Sequence, residues 1–189
     1  MKNLTIEVVR DGNIEQCRDL CNELMAFQKS QAVMLPEIFD AMNFDTRMKK
    51  SYEDAKIKHL AVVKDQSTPV GYVFSTVEEC SRGPVVYPEW LPPDNRDGSL
   101  GFYPDWENLP AEAGCLNNLY FRDAYRGMGL GSQLIDISME WFRSLGSIDL
   151  VFTYISNGND AAMNFYLKHG FVYSHDVFGG FIKAAYRRL

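Results

Sequence analysis

A glycine-rich loop at residues 126–132, RGMGLGS, constrains this chain most, because it joins an apolar strand pattern to a long amphipathic helix pattern. Gly127, Gly129 and Gly131 allow sharp backbone turns and a close approach to a ligand. The first N–H groups of the following helix have no intrahelical acceptor, and the helix dipole is positive at this end. The loop therefore predicts a strand–loop–helix unit that binds a phosphorylated ligand.

Two better-known phosphate loops fit this segment less well. A nucleoside-triphosphate loop has lysine after its last glycine, whereas Ser132 follows Gly131 here. The dinucleotide fingerprint is Gly-x-Gly-x-x-Gly, but these glycines are spaced Gly-x-Gly-x-Gly and lie far from the N-terminus. Asp149, the acid downstream, precedes an apolar run, whereas the ribose-binding acid of that fold follows its strand. The sequence thus excludes the first loop and disfavours the second.

A second motif, NDAAMNFYLKHGF at residues 159–171, follows the loop. Three features together resemble the acyl-CoA-binding core of the GNAT superfamily of N-acetyltransferases. They are the strand pattern at 116–121, the glycine loop, and the second motif, in which Asn159 is followed by Phe165-Tyr166 and Gly170-Phe171. The family pattern Arg/Gln-x-x-Gly-x-Gly/Ala falls on Arg126, Gly129 and Gly131. Two linked motifs occur together by chance far less often than one glycine loop. The resemblance covers about residues 60–189, and the first part of this range matches the family only in outline.

The hydrophobic periodicities agree with such a fold. Strand patterns alternate with helical ones and with antiparallel hairpins, so we expect an α/β (α+β) chain with a mixed, mostly antiparallel central sheet of about seven strands flanked by about four helices. The predicted strands are 4–9, 60–63, 70–77, 116–121, 148–155, 171–174 and 181–186, and the predicted helical segments are 14–27, 36–55, 130–145 and 159–170.

We expect residues 1–189 to form a single N-acetyltransferase domain with an irregular insert at about 80–114. The insert is rich in proline and contains Gly83, Asp97 and several aromatic residues. Such a segment predicts a lid over a cationic acceptor, while a cover over a sheet edge or a dimer contact stays equally open.

Composition narrows the class of protein. Hydrophobic residues make up 46% and charged residues 23%, as in ordinary globular proteins, and the net charge of −6 argues against nucleic acid as a partner. The N-terminus lacks the apolar core of a signal peptide and no apolar run is long enough to span a membrane, which predicts a cytoplasmic protein without a membrane partner. The four cysteines form no Cys-x-x-Cys pair, so we expect buried reduced thiols and no metal.

The resemblance implies acetyl-CoA as the acyl donor and coenzyme A as the released product. It implies that main-chain atoms near the end of the strand bind the pantetheine arm and the thioester, and that the loop amides with the adjacent arginine bind the pyrophosphate. The cofactor-binding residues are then Leu119, Tyr120, Phe121, Arg126, Gly127, Met128, Gly129, Leu130, Gly131, Ser132 and Asn159. Asn159 could equally cap the short helix that follows it.

Tyr166 matches the family tyrosine that protonates the departing thiolate, a role that suits a phenol with a pKa of ~10. The general base is unassigned, because Asn117 stands where some relatives carry glutamate and an amide cannot accept a proton. The open alternatives are ordered water or the carboxylates of Glu78, Glu79, Asp105, Glu107 and Glu112. The three histidines, His59, His169 and His175, are more typical of surface, capping or sheet positions than of bases.

The sequence therefore predicts an acyltransferase, an N-acetyltransferase, that moves an acetyl group from acetyl-CoA to a primary amine by direct attack through a tetrahedral intermediate. The acceptor is a small amine, a polyamine, an amino compound or a peptide or protein amine. Whether the acyl group is always acetyl, and whether the protein is a homodimer, stays open. The alternative is a non-catalytic acyl-CoA sensor or interaction module on the same fold, which Asn117 favours.

Overall fold

The computed structural model describes residues 2–81, 84–96 and 98–189. Its elements in chain order are β1 (Leu4–Val8), α1 (Arg18–Gln31), α2 (Lys50–Asp54), β2 (Ile57–Asp65), β3 (Thr68–Glu79), β4 (Glu112–Phe121), α3 (Leu130–Leu145), β5 (Leu150–Ser156), α4 (Asp160–Lys168), β6 (Val172–Val177) and β7 (Ile182–Arg188). The strands form one sheet in the order β1-β2-β3-β4-β5-β7-β6, antiparallel throughout except for the parallel pair β4–β5. The predicted fold class is confirmed.

Helices cover both faces of the sheet because neighbouring strand residues point to opposite sides. Ala61 and Val63 of β2 share a core with the apolar face of α3, while Leu60 and Val62 share a second core with α1. The apolar side chains of α3 recur at helical spacing, as the sequence predicts, and the helix ends at Gly146 in a left-handed conformation.

Two parts of the fold differ from the sequence expectation in detail. The helical segment predicted at 36–55 is broken into a 3₁₀ segment Pro36–Ala41, a π-helical segment Phe44–Lys49 and α2. The break lies at Asn43, whose side chain accepts from the amides of Asp45 and Thr46 and starts a new helical segment. The predicted final hairpin forms as β6–β7, but β7 is inserted between β5 and β6.

Gly114 of β4 allows α3 to pack closely on the sheet. A Cβ atom at this position would lie 2.5 Å from the ring of Phe142, and both residues are buried. We expect Gly114→Ala to lower the free energy of unfolding by about 1–3 kcal/mol, because the ring must move to remove the overlap. Urea denaturation measures the loss. The double variant Gly114→Ala/Phe142→Leu should lose less than the sum of the single changes, and an unchanged denaturation midpoint for Gly114→Ala would contradict the packing argument.

Candidate active site

The central feature of the site is the separation of β4 from β5. The two strands pair in register only at Gly114–Val151, Cys115–Phe152 and Leu116–Thr153. Beyond this point β4 continues to Phe121 paired with β3 alone, and the Thr153 hydroxyl donates to the Leu116 carbonyl at 3.2 Å where the strands part. One edge of β4 therefore has backbone groups without a strand partner, which can bind a ligand.

A β-bulge at Asn117 lies at the same point. Phe74 of β3 is opposite Asn118 and the next residue, Ser75, is opposite Leu116, so Asn117 is the extra residue. Bulges bend a strand and redirect its side chains, and they are frequent beside active sites. Two buried oxygens, Asn118 Oδ1 and Ser156 Oγ, accept no hydrogen bond within the described part of the chain. Unpaired polar atoms near the separated strands are consistent with a binding site.

The glycine loop has the conformation that its sequence predicts. Gly127 and Gly129 have φ of 73° and 76°, a region that side chains other than glycine rarely adopt, and the space where their Cβ atoms would lie is open. No side chain caps the N-terminus of α3, so its first N–H groups have no side-chain acceptor and are suited to bind an anion. At Gly131 a Cβ atom would lie 3.0 Å from the ring of Phe165, which explains the third glycine by close packing against α4.

A first cavity of about 420 Å³ lies between this loop and the free edge of β4. Ten of the eleven residues predicted to bind the cofactor line it, and Tyr166 lines it as well. Met128 does not line the cavity. It is 45% exposed, and its sulfur contacts Lys2 instead. Leu24 and Phe27 of α1 complete the wall, which the sequence analysis missed because α1 is distant along the chain.

Arg126 is held in place at the mouth of the first cavity. Its Nε donates to the Phe121 carbonyl at 3.0 Å, its Nη1 pairs with Asp123 at 2.8 Å, and its guanidinium lies over the rings of Phe27 and Tyr120. The side chain is still 40% exposed. Arg126 thus fixes the end of β4 and leaves part of its positive charge facing solvent at the loop.

His169 is the C-cap residue of α4, one of the positions that the sequence predicts for it, and it also lines the first cavity. Its Nδ1 donates to the Phe165 carbonyl at 2.8 Å, since a carbonyl can only accept, and its Nε2 lies 2.8 Å from the Ser132 hydroxyl. In the neutral ring Nε2 accepts from Ser132. The spacing of three residues from Tyr166, one helical turn, is the sequence signal for this position. His59, by contrast, stacks on Trp141, and burial lowers its pKa.

Tyr166 packs in the core between Phe165 and Phe171, and it lines the first cavity. Burial raises the pKa of its phenol to about 12, with a hydrogen bond to Thr153 acting in the opposite direction. The phenol is therefore protonated at neutral pH and beside the point where β4 and β5 separate. Asn159 caps α4, because its Oδ1 accepts from the Ala162 amide at 3.2 Å. It also lines the first cavity, and its contact with a cofactor stays a prediction.

A second cavity of about 360 Å³ lies next to the first. On β4, Asn118 lines the second cavity and the next residue, Leu119, lines the first. On α1, Gln28 lines the second cavity and its neighbour Phe27 lines the first. The two cavities therefore adjoin where β4 and β5 separate. Such an arrangement can bring two ligands into contact, one from each side.

Glu78 is the one predicted base candidate that lines the second cavity. Glu79 and Glu112 line a surface depression that Glu78 also lines, but they do not reach the second cavity. Asp105 and Glu107 are exposed on the insert. The sequence could not make this distinction, because it does not show which of the five acids meets the other residues of a cavity in the folded chain.

A short hydrogen-bond chain joins Asn117 to Glu78. The Asn117 amide donates to Thr76 Oγ1 at 2.5 Å, and that hydroxyl donates to Glu78 Oε1 at 2.8 Å. The Tyr103 hydroxyl donates to the other carboxylate oxygen at 3.5 Å, and burial together with Glu78 raises the pKa of that phenol. The asparagine in the position of the missing glutamate thus orients a carboxylate on the neighbouring strand.

The described part of the segment between β3 and β4, residues 80–81, 84–96 and 98–111, packs on the sheet. His175 Nε2 donates to the Gly101 carbonyl at 2.9 Å, Tyr154 donates to the Phe102 carbonyl at 2.9 Å, and Leu100 pairs with Val177. Its side chains Trp90 and Phe102 reach the second cavity. Gly83 and Asp97, which the sequence analysis places in this insert, lie outside the described residues. The segment is positioned to cover an acceptor, and that role stays a prediction.

Three further features concern the cysteines, the possible metal ligands and the lengths of the helices. All four cysteines are buried, and burial raises the pKa of the Cys17 thiol to about 12. Within 2–81, 84–96 and 98–189, no group of three His, Cys, Asp or Glu side chains is placed to hold a metal ion. In the same ranges no helix is both long and apolar enough to cross a bilayer.

The family assignment follows from comparison with known proteins. Residues 25–171 match the model of the acetyltransferase (GNAT) family, and the chain belongs to this family. The resemblance stated from the two motifs is thus confirmed. No curated protein sequence shows a significant match to the chain.

Solved structures share the fold at low sequence identity. The PaiA N-acetyltransferase from Thermoplasma acidophilum, solved with coenzyme A, is 13% identical, with 99% of each chain covered and a TM-score of 0.64. An acetyltransferase from Thermus thermophilus is 18% identical, with 100% of each chain covered and a TM-score of 0.58. Naa50 from Arabidopsis thaliana, solved with the bisubstrate analogue CoA-Ac-MVNAL, is 14% identical over 98% of this chain and 99% of its own, with a TM-score of 0.58.

Proposed function

We propose that this protein is an N-acetyltransferase that transfers an acetyl group from acetyl-CoA to a primary amine by direct attack. The observation that carries the proposal is the pair of adjoining cavities at the separated strands. One contains the glycine loop, the uncapped N-terminus of α3 and Tyr166, and the other contains Glu78. Two structural neighbours that are described with coenzyme A or a coenzyme A conjugate support the first half of the proposal.

The residues of the first cavity fit a pyrophosphate-bearing cosubstrate. Gly127 and Gly129 leave open the space that side chains would fill, and the first residues of α3, whose N-terminus no side chain caps, line the same cavity. Arg126 adds positive charge at the mouth, and the free edge of β4 offers backbone groups to the amide-containing arm. The bound acetyl-CoA would supply an activated acyl carbon at the junction of the two cavities.

In the proposed reaction, the amine nitrogen bonds to the acyl carbon and the carbon–sulfur bond breaks. Glu78 takes the proton that the amine loses, and the Tyr166 phenol donates a proton to the departing sulfur. Backbone N–H groups on the free edge of β4 stabilise the oxyanion of the tetrahedral intermediate. Asn117 and Thr76 orient the Glu78 carboxylate towards the second cavity. Proton acceptor and donor thus belong to different cavities, as the direct mechanism requires.

We expect acetyl-CoA to raise the melting temperature. At a concentration of 100 times Kd the stabilisation is about 2.7 kcal/mol, which corresponds to about 5–10 °C for a chain of this size. Thermal unfolding with and without acetyl-CoA measures the shift, and thiol release in a panel of amines, polyamines, amino acids and peptides measures turnover. A missing shift would contradict acetyl-CoA binding. A shift without thiol release from any acceptor would reject the transferase and support the alternative, an acyl-CoA sensor.

A further inference from the structure

The second cavity contains a positive charge that the proposed reaction does not use. Arg47 of the π-helical segment lines this cavity, is half-buried, and its Nη1 lies 3.4 Å from the Ser51 hydroxyl. In the part of the chain that the structure describes, Arg47 forms no ion pair with a carboxylate. A half-buried guanidinium without a counter-ion has a free planar set of donors that suits a carboxylate.

The same cavity contains one negative charge, Glu78. It too forms no ion pair among the described residues, so Arg47 and Glu78 do not neutralise each other by direct contact. Both charges act on the buried Cys115 thiol, whose pKa is raised by burial and by Glu78 and lowered by Arg47. Because Arg47 and Glu78 also line one cavity of about 360 Å³, a single small molecule in it can contact both.

An apolar wall completes the second cavity. It is formed by Phe39, Met42, Trp90, Phe102, Phe178 and Phe181. The rings of Trp90 and Phe181 are 5.2 Å apart, as are those of Phe102 and Phe178. Trp90 and Phe102 are 42% and 45% exposed, although they belong to this cluster. Exposed aromatic surface beside a cavity is typical of a site for an apolar ligand group.

From this arrangement we propose that the acceptor is a small amino carboxylic acid with an aromatic or large apolar side chain. Arg47 binds its carboxylate, Glu78 receives the proton of its amine, and the aromatic wall binds its side chain. The volume of about 360 Å³ suits a small molecule. A polyamine would place a second cation near Arg47, which is unfavourable in a partly desolvated site. The proposal rests on the proposed transferase function.

The test compares acceptors that differ in one charge. Phenylalanine, phenylalaninamide and phenethylamine share the ring and the amine, but only phenylalanine has a carboxylate. We expect the wild-type kcat/KM for phenylalanine to exceed that for the other two by about 10- to 100-fold, the usual contribution of hydrogen bonds to a charged group. Arg47→Met should remove this preference by lowering kcat/KM for phenylalanine alone, and Arg47→Lys should keep part of it.

Lys50→Met is the matched control, because Lys50 is an exposed cation on the adjacent helix that lines neither cavity. It should keep the preference for phenylalanine. Equal activity of the wild type on phenylalanine and phenethylamine would overturn the proposal, as would a higher activity on peptides. An equal loss on all acceptors in Arg47→Met, with an unchanged melting temperature, would also overturn it.

A binding measurement separates this proposal from the transferase itself. Calorimetric titration of phenylalanine into the protein with coenzyme A present does not depend on turnover. Binding that Arg47→Met abolishes, with the acetyl-CoA thermal shift retained, supports the acceptor site even if no acetylation occurs. If acetylation of other amines occurs while phenylalanine does not bind, the acceptor proposal fails and the transferase stands.

Discussion

Tyr166→Phe should lower kcat by about 10²- to 10⁴-fold, the range that general acid catalysis contributes, while the thermal shift with acetyl-CoA stays unchanged. The phenylalanine ring keeps the packing against Phe165 and Phe171 but has no proton for the departing thiolate. Because the pKa of Tyr166 is raised to about 12, its donor form is present at every pH well below that value. Wild-type kcat should therefore not fall through ionisation of Tyr166 until the pH approaches about 12.

Tyr173→Phe is the matched control for this prediction. It is the same chemical change at an exposed tyrosine on β6, whose hydroxyl donates to Asp176 at 3.1 Å and which lines neither cavity. It should change kcat by less than about threefold, as expected of a surface substitution. If Tyr166→Phe kept wild-type kcat, another group would have to protonate the thiolate. A lost thermal shift would instead assign Tyr166 to cosubstrate binding.

The first cavity, which we propose binds the cosubstrate, was accessible from the sequence because its residues are local. Residues 116–132 supply a strand, a glycine loop and a helix N-terminus in one continuous stretch, and their roles depend on backbone conformation. Gly127 and Gly129 are needed for φ values that the loop requires, and Gly131 for packing against Phe165. Because both requirements call for glycine at fixed positions, they are visible in the sequence as residue type and spacing.

The second cavity, the proposed acceptor site, was not accessible from the sequence, because its residues meet only through tertiary structure. Gln28, Arg47, Glu78, Trp90 and Phe181 come from five separate parts of the chain. Their local sequence patterns predict helices, strands or an irregular insert and contain no common motif. Their meeting depends on the order of the sheet, in which β7 lies between β5 and β6, and on the packing of residues 84–96 and 98–111 over it.

The β-bulge at Asn117 changes the role that its sequence position suggests. From the sequence, an asparagine in place of glutamate indicates a missing base and favours a non-catalytic protein. The bulge makes Asn117 the unpaired residue of β4, and its amide reaches Thr76 and, through it, Glu78. A side chain's face after a bulge cannot be derived from simple alternation, since the extra residue inverts the pattern.

Glu78→Gln should lower kcat/KM by about 10²- to 10⁴-fold at neutral pH, because the amide cannot accept the amine proton. Glutamine keeps the shape of the side chain, and its oxygen can still accept from Thr76. In the variant only an amine that is already neutral can react. Its rate should therefore rise about tenfold per pH unit below the pKa of the acceptor amine, and the difference from the wild type should shrink at high pH.

Glu79→Gln provides a control at the adjacent residue, since Glu79 is 83% exposed, lies 3.9 Å from Lys56 and does not line the second cavity. An exposed ion pair contributes at most about 1 kcal/mol, so this variant should keep both the rate and its pH profile. A Glu78→Gln enzyme with wild-type activity and an unchanged pH profile would mean that water, and not Glu78, removes the proton. A uniform loss at every pH would assign Glu78 to acceptor binding, because a base is dispensable once the amine is neutral and a binding contact is not.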